Sequence, residues 1–414
     1  MSKNVTLQED FENWSPPEKL WNPMFLSIFC VNLFFQMGQQ MSNSLLSLYA
    51  KSTGAPADQI GQLRSMFAVT ALIFRFIAGP AMNSFSRKKL VAMSTLIMTT
   101  AYLGFSFSPK IAAALGVEVV SVMKIFRLFQ GIGNAFGNGC CLTIVADTLP
   151  RDKFTTGMGY YACAQVIAQS IGPTVGVFLR DMVGYNMVYI IFACIMTGAF
   201  FATQIIKPAP QKRLPFRLKL DNIIAKECLV PAFTNFLVGM GFTSINAFML
   251  VYAEERGISG GSLFFTVYAL TLLATRPTVG KLTDKHGFVK IALPGLMMTA
   301  ISLVLIGFSS NLWMLLFAAF VNAFGFGAVQ PMLQSLCMKA VPQERRGSAS
   351  STNYIFYDSA TIIGPTACGM VADALGYTPV MWMVMAVPVV CAVLFAFTFR
   401  KRIIQIETDF AARV

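Results

Sequence analysis

The sequence predicts an all-α integral membrane protein with twelve transmembrane helices in two six-helix, pseudo-symmetric halves. Three observations predict it. Of 414 residues, 55% are hydrophobic and only 12% charged, with a mean hydropathy of +0.62, where a soluble chain carries about 25% charge. The apolar residues gather into runs of the length that crosses a bilayer, about 20 residues each. A loop signature also occurs twice, about 200 residues apart. Arg75 to Gly79 leads into Pro80, Asn83 and the cluster Arg87, Lys88, Lys89, and Arg276 to Gly280 leads into Lys281, Asp284, Lys285 and Gly287. Each copy ends one apolar run and opens the next with positive charge, the pattern of a duplicated membrane bundle.

The elements follow in order. Residues 1–22 carry Glu9, Asp10, Glu12 and Glu18 and lack the apolar stretch of a signal peptide, so they read as a cytoplasmic N-terminal tail. The N-terminal half covers 23–206, with spans at 23–50, 59–80, 89–108, 117–147, 153–179 and 186–206. Residues 207–227 form a linker with Lys207, Lys212, Arg213, Arg217, Lys219 and Lys226, expected to lie partly in the membrane interface as an amphipathic stretch. The C-terminal half covers 228–399, with spans at 228–253, 259–281, 289–308, 311–339, 347–374 and 377–399. Residues 400–414 form a C-terminal tail. The halves echo each other beyond the loops. Gln130-Gly131-Ile132-Gly133 corresponds to Phe324-Gly325-Phe326-Gly327, and Pro150 with Gly172-Pro173 corresponds to Pro342 with Gly364-Pro365 at the same spacing.

Loop charge sets the orientation. Twenty-three Lys and Arg fall on one side and four, Lys51, Lys110, Arg180 and Arg256, on the other. That bias puts both termini and the linker in the cytoplasm of a multi-pass cell-membrane protein. Despite a net charge of +13, cations confined to short loops are a topology signal and not a nucleic-acid stripe. The nine cysteines lie in or beside apolar runs without a CxxC pair, as packing residues do. His286, the only histidine, has no ligand-spaced neighbours, so neither a metal nor a cofactor is expected. No GxxxxGK[ST] loop is present, which excludes ATP as the direct energy source. No His/Asp/Glu or Ser/His constellation suggests an enzyme.

Charged side chains inside a span cost at least about 2.5–3.5 kcal/mol at the centre, so they are the first candidates for function. Arg75, Arg276 and Arg64 lie near span ends and are expected to snorkel or cap helices. Arg127 is some nine residues, about 13 Å, inside the fourth span. It heads a stripe of Arg127, Gln130, Asn134 and Asn138, whose 3- and 4-residue spacing keeps them on one helix face. Lys124 sits one turn above. The first span adds Asn32, Gln36, Gln39 or Gln40, and Asn43, and the fifth adds the pair Gln165 and Gln169. In the second half, Asn246, Thr271, Gln330, Asn353, Tyr354 and Tyr357 are either interhelical packing or cavity lining. Arg127, Gln36, Gln40, Asn134, Gln165, Gln169, Asn246 and Tyr354 form the candidate substrate site. Asp358, the only acid deep in a span, is the candidate coupling residue or else half of a structural ion pair. Asp147, ending the fourth span, can pair with Arg87 in one state and release it in another.

These motifs make the chain resemble the major facilitator superfamily, in particular its bacterial-type efflux and antiporter members. The family's hinge motif GxLxDxxGRR/K is met by Gly280, Leu282, Asp284 and Gly287, with Phe288 and Val289 in place of its basic residues. In the first half Gly79, Arg87 and Lys88 match, while Asn83, Ser84 and Ser86 replace Asp, Arg and Gly. RxxQGxGxA is matched by Arg127, Gln130, Gly131, Gly133 and Ala135, and the Gly-Pro motif of family antiporters in part by Gly172, Pro173 and Gly176. The resemblance implies a secondary transporter working by alternating access, with Gly79, Arg87, Asp147, Gly280, Asp284, Gly172 and Pro173 as hinge residues. Its partners would be a small-molecule substrate, protons if transport is coupled, and the lipid bilayer. The chain is expected to act as a monomer.

The cation excess in the spans and the absence of a first-span carboxylate favour an anionic or zwitterionic organic solute. Proton-coupled multidrug efflux is the alternative transport reading. A non-transporting membrane receptor or scaffold is the alternative of another class, and it would require neither a polar stripe in both halves nor paired hinge motifs.

Overall fold

The structure is a computed structural model that describes residues 17–206, 209–375, 386–387 and 389–412. The fold is all-α, and no strand occurs among these residues. In chain order the helices are α1 (Pro23–Ser52), α2 (Ala57–Ser84), α3 (Arg87–Leu115), α4 (Val119–Thr148), α5 (Phe154–Ile205), α6 (Leu229–Glu255), α7 (Leu263–His286), α8 (Phe288–Gly307), α9 (Leu312–Ala340), α10 (Arg346–Leu375) and α11 (Arg400–Ala412). Among the described residues, seven helical stretches are long and apolar enough to cross a membrane by length and composition alone. The long helices outside that set are α1, α4 and α10. These carry the amide stripe, Arg127 and Asp358, so their polarity marks inward-facing surface that a hydropathy average dilutes.

Local chemistry places the helix ends. Asn22 caps α1 by accepting from the Phe25 amide at 2.8 Å, with Pro23 at the first helical position. Asn311 caps α9 by accepting from the Met314 amide at 2.9 Å. At the α7–α8 turn Gly287 adopts φ +86°, a conformation that L side chains avoid, which accounts for a glycine there.

The structure adds detail to three elements of the sequence reading. The spans expected at 153–179 and 186–206 are both helical and follow each other in α5, parted by a kink at Gly184 with φ +77°. A single glycine in the left-handed region redirects the chain without a loop, so Arg180 and Asp181 stay helical. The expected C-terminal tail is largely the helix α11, which buries Ile403 and Ile406. The linker has no regular secondary structure over 209–219 and one helical turn at Leu220–Ile223. Residues 377–385 and 388 of the twelfth expected span, 377–399, and most of the N-terminal tail lie outside the described residues.

The helices gather into two compact units. Unit 1 comprises Met1–Leu149, Ile167–Ile223 and Gln343–Ser351, and unit 2 comprises Pro150–Val166, Ile224–Pro342 and Thr352–Val414. Each unit therefore includes a short segment from the opposite sequence half: the start of α10 belongs to unit 1 and the start of α5 to unit 2.

In unit 1, α4 is the central helix and is buried along most of its length. Glycines let its neighbours approach. A Cβ on Gly131 would stand 2.8 Å from the Thr70 Cβ of α2, and one on Gly133 would stand 2.8 Å from Met98 of α3. An aromatic and methionine core of Phe35, Met41, Tyr49, Met98, Tyr102, Phe105, Tyr189 and Phe192 fills the space between α1, α3 and the second part of α5. In unit 2, α10 packs on α6 where a Cβ on Gly364 would meet the Met240 carbonyl at 2.9 Å. The helix α11 docks with Glu407 accepting from the Phe288 amide at 2.9 Å, which caps α8, and with Phe410 5.4 Å from the Phe154 ring.

Candidate functional site

The charge-rich end of unit 1 is organised by one carboxylate. Asp147, at the end of α4, accepts from Arg87 at the start of α3 and from Arg346 at 2.7 Å. Arg87 also donates to the Gln343 carbonyl at 2.8 Å and the Met82 carbonyl at 3.2 Å, and Arg346 to the Ala146 carbonyl at 2.8 Å. Arg87 and Asp147 are both buried. Removing one partner of a buried ion pair leaves an uncompensated charge, a loss of about 3–5 kcal/mol. One turn earlier, Asn83 donates to the Ser348 hydroxyl at 2.7 Å, and Gly79 faces Ser351, whose Cβ would be 3.0 Å from an added methyl.

Unit 2 holds the counterpart at the α7–α8 turn. The Asp284 carboxylate accepts from the Thr155 amide at 3.0 Å, the Thr156 amide at 2.8 Å and the Thr156 hydroxyl at 2.7 Å. These amides open α5, so the acid sits on the positive end of a helix dipole. Lys339 stands 3.8 Å from Asp284 and donates to the Thr155 hydroxyl at 2.9 Å. Its ammonium lies over two rings, 5.7 Å from Phe154 and 5.4 Å from Phe410. Gly280 allows this proximity, because a Cβ there would lie 2.7 Å from the Thr156 Cα.

Arg127 lies in unit 1 and is only 4% exposed. Its Nε donates to the Leu63 carbonyl at 3.1 Å, one terminal nitrogen to Gln130, and the other to Asn43 at 3.1 Å. The guanidinium also stacks 4.4 Å from the Phe67 ring centroid. The amides continue the chain, with Asn43 donating to Gln40 at 3.5 Å and Gln130 to Ser42 at 3.3 Å. The sequence puts Arg127 among the candidate substrate-site residues. In the structure it lies within an interhelical network and stacks on an aromatic ring, because a guanidinium among helices recruits carbonyls and amides wherever water is excluded. Among the described residues it has no carboxylate partner.

The other candidates divide between the units. Gln36 is buried on α1, and Asn134 accepts from Asn138 at 2.7 Å within α4. Gln165 belongs to unit 2 and is half-buried, whereas Gln169 belongs to unit 1 and is exposed, so the pair does not form one surface within either unit. Gly172, followed by Pro173 in unbroken helix, lets α5 approach α1, with an added Cβ 3.1 Å from the Gln40 Cβ. In unit 2, Asn246 donates back to the Phe242 carbonyl at 2.9 Å, and Tyr354 and Asp358 are half-buried on α10. Arg75 and Arg276, expected to snorkel, turn inward instead. Arg75 donates to the Ala135 carbonyl at 2.6 Å, and Arg276 donates to the Ala162 carbonyl and to Gln330 at 3.0 Å. Each finds acceptors on a neighbouring helix, and bonding there removes the need to stretch the side chain to water.

Sequence reasoning overlooked Thr155, Thr156, Lys339, Arg346, Glu407 and Phe410. Two signals were present. A Thr-Thr pair opening a helix is an anion-binding end, and Ile403, Ile406 and Phe410 recur at helical spacing.

Comparison with known proteins follows this geometry. The family model described as Major Facilitator Superfamily matches residues 28–225 and 231–409. The multi-drug resistance efflux pump PmrA of Streptococcus pneumoniae serotype 4 (strain ATCC BAA-334 / TIGR4) is 22% identical over 353 residues, covering 81% of this chain and 86% of the pump. The uncharacterized MFS-type transporter YhhS of Escherichia coli (strain K12) is 26% identical over 359 residues, covering 84% and 85%. Among solved structures, the human organic anion transporter MFSD10 (TETRAN) superposes with a TM-score of 0.76 at 15% identity, covering 92% of this chain and all of that one. A bacterial homologue of the iron transporter ferroportin gives 0.80 at 13% identity, covering 94% and 100%. At these identities the solved structures speak to fold alone.

Proposed function

The chain belongs to the Major Facilitator Superfamily, and on that premise we propose that it is a secondary active transporter of a small organic anion or zwitterion, working by alternating access. One observation carries the substrate class: the buried guanidinium of Arg127 has no carboxylate partner among the described residues. Burying an unneutralised cation costs several kcal/mol. Here the amide oxygens of Asn43 and Gln130 stand in for a counter-ion. A substrate carboxylate or phosphate displaces these neutral acceptors and gains charge-assisted bonds worth about 1.5–3 kcal/mol each. Two of the five N–H groups of an arginine remain for a bidentate approach after its three protein bonds are counted. Gln36, Gln40, Asn134, Gln165, Gln169, Asn246 and Tyr354 are the proposed supporting polar groups, and Asp358 the proposed coupling residue.

The Asp147 and Asp284 clusters are the proposed latches. Each ties a cytoplasmic turn to a helix start from the opposite sequence half, so breaking it frees a segment at the membrane surface. The proposed halves are 23–206 and 228–399, with both termini and the linker in the cytoplasm, on the strength of the 23-to-4 loop-charge bias. The name of the PmrA relatives supports a second reading, proton-coupled efflux of amphipathic drugs, in which the ring of Phe67 beside Arg127 would receive an aromatic substrate.

Counterflow in proteoliposomes separates the two readings. A panel of organic anions and cationic drugs is offered to the native protein and to Arg127→Ala and Arg127→Lys. On the anion reading, Arg127→Ala abolishes exchange of anions and Arg127→Lys restores it in part, since a point charge replaces a planar fork. Drug exchange that ignores both substitutions would establish the second reading.

A further inference from the structure

The linker is tied to the α2–α3 turn. The Leu214 amide donates to the Asn83 carbonyl at 3.0 Å, the Gln211 side chain donates to the Met82 carbonyl at 2.7 Å, and the Phe216 ring lies 5.6 Å from that of Phe85. That turn joins two membrane-spanning helices, so the strap is held at the depth where the bilayer meets water. At this depth it exposes large apolar side chains: Phe85 at 50%, Phe216 at 43%, Leu218 at 58% and Leu220 at 65%. Between them stand cations. Lys212, Arg213, Arg217 and Lys219 are all exposed, and none holds an ion pair among the described residues.

The order Phe216-Arg217-Leu218-Lys219-Leu220 alternates apolar and basic residues where the irregular segment 209–219 runs into the helical turn Leu220–Ile223, and all five residues are exposed. Exposed hydrocarbon for the acyl boundary and exposed cations for headgroups thus lie within one short run. We propose that residues 211–220 form a binding strap for anionic phospholipids of the adjacent leaflet. The apolar side chains fix the depth and the four cations take the phosphate charge. Neither part suffices alone: a bare basic loop would bind any soluble polyanion, and a bare apolar strap would not distinguish headgroups.

The strap also bonds to the region it would steady. The Gln343 side chain donates to the Pro210 carbonyl at 3.2 Å, Arg345 donates to the Asp221 carbonyl at 3.2 Å, and Ser348 donates to the Asn222 carbonyl. The segment 343–348 also carries Arg346 of the Asp147 cluster. Lipid held by the strap therefore stabilises unit 1 by mass action. That the adjacent leaflet is the cytoplasmic one rests on the proposed orientation.

The experiment uses the full chain in mixed micelles, which have no sides, so its outcome is independent of the orientation. Thermal unfolding is followed while phosphatidylglycerol or phosphatidylcholine is titrated in, and bound lipids are counted by native mass spectrometry. Phosphatidylglycerol should raise the midpoint and remain bound, and phosphatidylcholine should do neither. With Lys212, Arg213, Arg217 and Lys219 all changed to glutamine, the affinity should fall about tenfold or more, since each cation near an anionic surface contributes a few-fold. Phe216→Ala, with all charges kept, should also weaken it. Glycerophosphoglycerol, the headgroup without acyl chains, should produce no shift. Equal response to both lipids, an unchanged response in the glutamine variant, or a full response to the soluble headgroup would each overturn the proposal. Labelling of Lys212→Cys by an impermeant thiol reagent in intact cells would overturn the orientation and leave lipid binding standing.

Discussion

Asn83 donates to the Ser348 hydroxyl at 2.7 Å, in the place where unit 2 sets the carboxylate of Asp284 against the opening amides of α5. The two repeats thus share a geometry but not a charge. In unit 2 an acid faces a helix N-terminus, and in unit 1 a neutral amide does, close to the acid-bridged pair Arg87 and Arg346.

Asn83→Asp should restore the missing charge. A carboxylate at a helix N-terminus contributes about 0.3–1 kcal/mol, more when partly buried, and Arg87 and Arg346 add to it. The variant should unfold at a higher temperature and turn over more slowly than the native protein, because its latch is harder to open. Scanning calorimetry and transport rates in proteoliposomes measure the two. A faster transporter would refute a latch at this turn.

Asp284 and Lys339 call for a double-mutant cycle. Asp284→Asn removes the charge from the α5 amides and strands Lys339 among aromatic rings. It should lower the unfolding midpoint and slow transport, while substrate binding stays within a few-fold. Lys339→Met should do less, since its stem packs where a methionine can. Combining them should recover part of the loss, with a coupling of about 0.5–3 kcal/mol. Strict additivity would mean that the 3.8 Å contact carries no energy.

Gly280 and Gly172 separate backbone from side-chain proximity. A methyl at Gly280 would stand 2.7 Å from the Thr156 Cα and 2.8 Å from the Thr155 carbonyl oxygen, whereas one at Gly172 would meet the Gln40 Cβ at 3.1 Å. Backbone cannot rotate away. Gly280→Ala should thus cost about 1–3 kcal/mol and depress turnover about tenfold, with Gly172→Ala milder in both. Equal effects in stability and transport assays would contradict this ranking.

Asp358→Asn probes coupling. Substrate exchange should persist, and accumulation driven by a pH gradient should vanish. If the variant still concentrates substrate when protons drive it, Asp358 is structural and coupling lies elsewhere.

The sequence made the helical class legible because bilayer-length apolar runs and a duplicated basic turn are properties of composition and spacing. It placed a break between 179 and 186, and the chain kinks there at Gly184, with helical residues on both sides in place of a loop. It took Arg400, Lys401 and Arg402 as the end of structure, although the apolar spacing that docks α11 follows at once. The partners of Asp284 were illegible for another reason. They are largely backbone amides, and an amide has no letter of its own. The Leu63 carbonyl that receives Arg127 is hidden in the same way, so a residue type that announces chemistry could not announce which backbone acceptor holds it.

Unit 1 contains Gln343–Ser351, and unit 2 contains Pro150–Val166. Neither is a continuous stretch of chain, and this bears on how the protein is made. A ribosome delivers all but nine residues of unit 1 by residue 223, yet Arg346, which shares Asp147 with Arg87, emerges more than a hundred residues later. Unit 1 therefore cannot hold its full set of contacts until residue 351 has been made. Until then Asp147 can pair with Arg87 but not with Arg346, so the cluster is among the last parts of unit 1 to be assembled.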